Sequence, residues 1–177
     1  MFFISTIMRK EILAIPIKLK IIEKADAANL HQLRTDPALT RFIARDVNQS
    51  ISDIEKFIAA VTSDDEKTLF YKIEMISNQE LAGTISLKNI DREKKYAEVG
   101  YELFTQFQGR GLMSIALDKM IELVFTEAGL EELEAYTHRD NLQSRKLLEK
   151  FAFNEVIGKV DGKNLNNVIY SLKKAGV

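Results

Sequence analysis

Apolar and polar positions alternate in part along Ile15 to Ile22, the period-two pattern of a half-buried strand, with Pro16 restricted to its start. The period then lengthens. Asp26-Ala27-Ala28-Asn29-Leu30 opens a helix, which Asp36-Pro37 breaks before a second short helical piece at Ala38–Ile43. Ser50 predicts the N-cap of a helix reaching Val61, with Ile51, Ile54, Phe57, Ile58 and Val61 on one face. Two strands follow, Thr68–Ile76 and Leu81–Leu87, joined by the polar turn Ser77-Asn78-Gln79-Glu80.

After the charged loop Asp91–Lys95, a strand runs from Tyr96 to Leu103. Ala97, Val99, Tyr101 and Leu103 share one face, and Tyr96, Glu98, Gly100 and Glu102 the other. The loop Gln106-Phe107-Gln108-Gly109-Arg110-Gly111 leads into a long helix to Ala128, striped by Met113, Leu117, Met120 and Val124 and ended by Gly129. Leu133–Thr137 reads as a strand and residues 141–151 as a helix. Phe153–Lys159 and Asn167–Leu172 read as a hairpin around Asp161-Gly162. These elements predict an α+β domain, a mixed sheet with helices against it and one strand–loop–helix–strand crossover in the middle.

Composition narrows the chemistry. A chain of 177 residues, 46% hydrophobic and 29% charged, suits one domain, and 8 Gly with 2 Pro leave little material for a flexible linker. We expect an N-terminal extension over residues 1–14 and a single domain over 15–175. The net charge of -1 argues against a nucleic-acid surface, so any phosphate site must be local. Absence of cysteine excludes disulfides, thiolate metal sites and a cysteine nucleophile, and His31 and His138 alone make a histidine metal site improbable. The apolar run Met1–Met8 is short and its charges follow it, which does not fit a signal peptide; Met8 is an alternative start. The cytoplasm is the expected compartment, with no membrane span.

The glycine-bearing loop is where ligand chemistry enters. Free amides in the first turn of a helix, the helix dipole and glycines that admit a close approach together favour an anion. Gly109 and Gly111 meet that need, and Arg110 adds a charge-assisted contact. A tight turn that binds nothing is the plain alternative. A P-loop would need Gly-Lys-Ser/Thr, but Leu112-Met113 follow Gly111. A dinucleotide site would accept Glu131, Glu132 or Glu134 by spacing, yet Ser114 stands in the third glycine's place and only one more helix follows.

The third ligand is the diphosphate of coenzyme A. Gln106-x-x-Gly109-x-Gly111 resembles the Arg/Gln-x-x-Gly-x-Gly/Ala signature of the GCN5-related N-acetyltransferases (GNAT). Ala97–Leu103 looks like the fourth strand of that fold. Asn141-x-x-Ser144 with Leu148-Glu149-Lys150-Phe151-x-Phe153 resembles the ribosomal-protein (RimJ/RimL-like) branch, as do Asp36-Pro37 and Gly83–Leu87. Ala152 departs from the pattern by replacing a glycine, so its backbone is expected to avoid a glycine-only conformation.

The resemblance implies a sheet of six to seven strands flanked by about four helices, and a wedge between two splayed parallel strands that holds acetyl-CoA. It implies backbone contacts from Leu103, Phe104 and Thr105 to the pantetheine arm. Gln108, Gly109, Arg110, Gly111, Leu112 and Met113 would hold the diphosphate, with Asn141 alongside. Asn141 or Asp140 has a simpler role open to it, as the cap of the following helix. Ser144 is implied to give a proton to the departing thiolate; its alternative is a bond to the carbonyl one turn back. An amine nucleophile must lose a proton, and Glu98 and Glu102, on the polar strand face, are the candidate acceptors, with solvated strand charges as the alternative. An amide at Leu103 or Phe104 would stabilise the oxyanion by roughly 3–4 kcal/mol. No metal is needed. The implied reaction is acetyl transfer to a primary amine, a protein N-terminus or a small molecule, by a monomer or homodimer. A non-catalytic acyl-CoA sensor or scaffold is the alternative, and the acceptor is not legible.

Overall fold

The computed structural model describes residues 11–176, so most of the expected N-terminal extension, with the Met8 alternative start, lies outside the described residues. Eight strands form one sheet: β1 (Glu11–Ala14), β2 (Ile17–Ile21), β3 (Leu69–Met75), β4 (Leu81–Asp91), β5 (Tyr96–Leu103), β6 (Glu132–His138), β7 (Asn154–Glu155) and β8 (Asn167–Lys173). Their spatial order is β1-β2-β3-β4-β5-β6-β8-β7. Five helices accompany it: α1 (Ala27–Thr35), the single turn α2 (Pro37–Thr40), α3 (Ile51–Thr62), α4 (Leu112–Glu122) and α5 (Leu142–Lys150).

Two expectations need correction. The strand expected at Ile15–Ile22 is β2, and a further strand, β1, precedes it across the Ile15-Pro16 turn, so the sheet begins inside the expected extension and has eight strands among the described residues. Proline there has no N–H to give a ladder, which suits a turn better than a strand. The strand expected at Phe153–Lys159 shrinks to the two residues of β7, because Gly158 turns with φ +83° and Lys159 leaves the ladder.

Local signals account for most element ends. Ser50 and Asp53 form a reciprocal capping box at α3, and the Asp36 carboxylate accepts from Ala38 N at 2.8 Å to start α2. α4 continues through a wider π turn, Leu123–Glu127, and Gly129 at φ +67° ends it.

The sheet separates two apolar layers. On one face α1 and α3 bury Leu30, Leu33, Ile54 and Ile58 against Ile22, Phe70 and Leu81. On the other, α4 and α5 bury Ala116, Leu117, Met120 and Leu148 against Ile85, Leu87, Val99 and Leu133. Each buried Leu or Ile contributes roughly 1.5–3 kcal/mol. Among the described residues no helix is long and apolar enough to cross a membrane, and no group of three or more His, Asp and Glu could hold a metal ion.

Candidate active site

One strand pair in the sheet is parallel, and it opens the site. β5 and β6 pair from Tyr96↔Glu132 to Val99↔Ala135 and then part. Beyond that point β5 runs on beside β4 to Leu103, and β6 runs on beside β8 to His138. The right-handed twist of the two halves pulls them apart once the shared ladder ends. Ladder alternation then fixes the chemistry of the exposed edge. Phe104 donates its amide to Ala82 O at 3.0 Å on the β4 side, so the amides of Leu103 and Tyr101 point the other way, into the wedge. Of the two expected oxyanion donors, Phe104 is therefore engaged and Leu103 remains. The Leu103 carbonyl accepts from Gln108 Nε2 at 3.1 Å, which draws the following loop onto the strand edge.

That loop ends at α4. Gly109 and Gly111 hold φ +73° and +75°, and Gly111 is the N-cap of α4 with no side-chain cap on the first-turn amides. A Cβ at either glycine would meet nothing within 4 Å, so the glycines are required by backbone conformation and face open space. Lys150 Nζ, from α5, donates to Ser114 Oγ at 3.2 Å and adds positive charge beside the helix start. Uncapped amides, a helix dipole and a nearby cation fit a diphosphate.

The loop, the wedge and α5 enclose a cavity of about 370 Å³. Its walls include nine of the thirteen expected site residues: Glu102, Leu103, Gln108, Gly109, Gly111, Leu112, Met113, Asn141 and Ser144. Four are not brought to it. Phe104 and Thr105 lie just past the strand end, and Arg110 is exposed with its guanidinium 5.5 Å from the Phe107 ring. Glu98 sits within the closed part of the β5–β6 ladder, opposite Glu134, and accepts from the Tyr96 hydroxyl at 3.1 Å.

Asn141 does cap α5, accepting from Ser144 N at 3.1 Å, while also lining the cavity. Ser144 has a different partner from the carbonyl one turn back: its Oγ lies 3.0 Å from the Tyr101 hydroxyl across the wedge. Sequence reasoning missed this tyrosine, placing it only on the apolar strand face. The signal was present, since a Tyr hydroxyl in a buried run requires a polar partner. Burial pushes the Tyr101 phenol up to about 12, against the opposing hydrogen bond from Ser144, so it stays protonated at neutral pH.

Glu102 enters from the other strand face. Its Oε1 accepts from both terminal nitrogens of Arg45, at 3.1 and 3.2 Å, with the carboxylate only 9% exposed. Oε2 is buried and accepts no hydrogen bond among the described residues. The 38–43 segment supplies an apolar wall of Leu39, Phe42 and Ile43, and Phe42 lies 5.5 Å from the His138 ring. The nearby 156–166 segment is fastened by Lys159, which donates to both oxygens of buried Glu134 at 2.6 Å; Tyr96 and Tyr136 complete that carboxylate's shell.

Ala152 takes φ +61°, the left-handed region that glycine prefers but alanine can still adopt at some cost. Phe151 and Ala152 end α5 with bonds back to Leu148 and Glu149, and that turn imposes the conformation whichever residue stands there.

Known proteins resemble this chain in sequence and in fold. Residues 17–154 match the Acetyltransferase (GNAT) domain family. The uncharacterized N-acetyltransferase p20 of Bacillus licheniformis is 31% identical over 147 residues, covering 77% of this chain and 78% of that protein. The uncharacterized N-acetyltransferase YoaA of Bacillus subtilis is 27% identical over 139 residues, covering 76% and 77%. In structure the chain is similar to RimL, a ribosomal L7/L12 alpha-N-protein acetyltransferase solved with coenzyme A, with a TM-score of 0.81, 20% identity and coverage of 92% and 97%. It is also similar to the spermidine N-acetyltransferase of Vibrio cholerae, solved with CoA and spermine, with a TM-score of 0.77, 17% identity and coverage of 88% and 93%. The chain therefore belongs to the GNAT family and is an acetyl-CoA-dependent N-acetyltransferase.

Proposed function

We propose that the enzyme transfers acetyl directly to a primary amine, a protein N-terminus or a small molecule, as the motifs of the RimJ/RimL-like branch suggest. One observation carries this reading. Tyr101, Ser144 and Glu102 all line the same 370 Å³ cavity, the Tyr101–Ser144 hydroxyl pair on one face of β5 and Glu102, whose buried Oε2 accepts no hydrogen bond among the described residues, on the other. A proton donor and a proton acceptor on opposite sides of one wedge are what acyl transfer to an amine requires.

Acetyl-CoA, when bound, supplies an acetyl group activated as a thioester. The amides at Gly109–Met113 hold its phosphates by their fixed direction, and Lys150 adds charge. The Leu103 amide points at the place where a carbonyl oxygen gains charge. Glu102 takes a proton from the ammonium, freeing a lone pair for the new N–C bond, while Arg45 holds the carboxylate in place. Ser144, bonded to the protonated Tyr101, gives a proton to sulfur as the C–S bond breaks. The ammonium sheds two protons on its way to the amide: one replaces the proton that Ser144 gives to sulfur, and the other passes from Glu102 to solvent, so the protein ends unchanged. Among the two candidate bases, the geometry favours Glu102, since Glu98 is tied to Tyr96 outside the cavity.

Calorimetry with acetyl-CoA, followed by a thiol-release assay over a panel of amines, tests this reading. Micromolar or tighter binding with amine-dependent release of CoA is the expected result. Binding without turnover of any amine would favour the sensor alternative, and no binding would refute the reading.

A further inference from the structure

Two cations, Lys88 on the polar face of β4 and Arg34 on α1, are left unused by the transfer chemistry. In the β4–β5 register Lys88 stands opposite Glu98 and Ser86 opposite Gly100, so the Lys88 side chain lies along that face. Its Nζ comes within 3.5 Å of the position a Cβ on Gly100 would take. Gly100 lines a second cavity of about 80 Å³ at the acceptor end of the wedge, together with Phe42, Tyr136, His138 and Ser144.

The carboxylates facing this region already have partners. Glu102 is held by Arg45, Glu134 by Lys159, and Glu98 accepts from the Tyr96 hydroxyl. Asp140, beyond His138, is 71% exposed. The Lys88 ammonium makes no hydrogen bond or ion pair among the described residues. Arg34 lies over the Phe57 ring at 4.1 Å, and its guanidinium has a single long contact, Nε to Gln49 Oε1 at 3.5 Å. Surrounding protein lowers the pKa of each cation, with Glu102 opposing and Arg45 reinforcing the shift, and Arg34 falls to about 10. Lys88 nevertheless keeps a solvent-exposed approach. An accessible ammonium with no carboxylate partner, set beside Gly100 of the second cavity, attracts an anion. A polycationic amine would be repelled by the same charges.

We propose that the amine acceptor carries a negatively charged group, carboxylate or phosphate, near its amine, and that Lys88, backed by Arg34, receives that group while Glu102 serves the amine. The inference rests on the reading of this cleft as an acetyl-transfer site. Lys88 acts as a specificity-determining residue, setting affinity for the acceptor and leaving the bond-making step alone.

Matched amines test it with the full-length enzyme and saturating acetyl-CoA. The pairs are ethanolamine against O-phosphoethanolamine, butylamine against γ-aminobutyrate, and short peptides with Asn against Asp at the second position, with spermidine as a polycation. In at least one pair the acidic member is expected to show kcat/KM about tenfold higher, expressed in KM and shrinking as ionic strength rises. The preferred pair then tells phosphate from carboxylate. Lys88→Gln should erase the preference and leave the neutral member within about twofold, whereas Lys88→Arg should keep it. Equal or better turnover of every neutral member, spermidine as the best acceptor, or a Lys88→Gln effect shared by both members would overturn the proposal. Acetyl-CoA binding with no anionic amine turned over would overturn it while leaving the cofactor site intact. Failure to bind acetyl-CoA would instead remove the acetyltransferase reading beneath it.

Discussion

The two ends of the wedge are built from different materials. At the cofactor end the working groups are main-chain amides: the edge of β5 at Tyr101 and Leu103, the left-handed glycines, and the uncapped first turn of α4. At the acceptor end they are side chains on long-range contacts: Arg45 reaching Glu102, Lys88 lying over Gly100, and Phe42 against His138. Backbone donors are fixed by the fold and cannot be exchanged by substitution, so that end suits a ligand that never changes. Side chains change one at a time, so the other end can be retuned for a new acceptor while the fold persists.

Substitutions should separate the ends. Gly111→Glu puts a β-carbon on a φ of +75° and a carboxylate among the amides proposed to hold the phosphates. Calorimetry should show acetyl-CoA affinity lowered by about a hundredfold or more; unchanged affinity would remove the loop from the site. Glu102→Gln keeps the shape and removes the proposed base, so kcat/KM for the best amine should fall by about a hundredfold in the thiol-release assay. A mild loss there would return the role to Glu98 or to water. Ser144→Ala and Tyr101→Phe should each lower kcat by about tenfold, and the double variant should fall little further, because one hydrogen-bonded pair delivers one proton. Additive losses would mean two separate roles. With the Tyr101 phenol pushed up to about 12, the pH–rate profile of the wild type should show no descending limb from this group below about pH 10. The smallest effect concerns stability: Ala152→Gly should stabilise by about 0.5–1 kcal/mol in urea unfolding, by relieving φ +61°. Destabilisation would mean the alanine is unstrained.

The same contrast explains what could be read in advance. The cofactor end is written locally: a Gly-x-Gly at the start of a helical stripe, an N-cap Asn141 three residues before Ser144, and a strand whose period never wavers. The acceptor end is not. Arg45 and Glu102 stand 57 positions apart, and Tyr101 and Ser144 stand 43 apart. Nothing in the local pattern around Arg45 announces a partner, since an arginine in a polar loop looks the same whether solvated or buried. Glu98 and Glu102 share a strand face, and the sequence could not say that the β5–β6 ladder closes over one and opens beside the other. The short β7 was missed for a related reason: Lys159 is drawn out of the strand by Glu134, 25 positions away.

The most direct test of this division is a calorimetric titration of the Glu102→Gln protein with acetyl-CoA. A backbone-built cofactor end predicts an affinity within about twofold of the wild type, whatever has happened to turnover. A loss approaching that of Gly111→Glu would show that the two ends are one site, and would contradict the account.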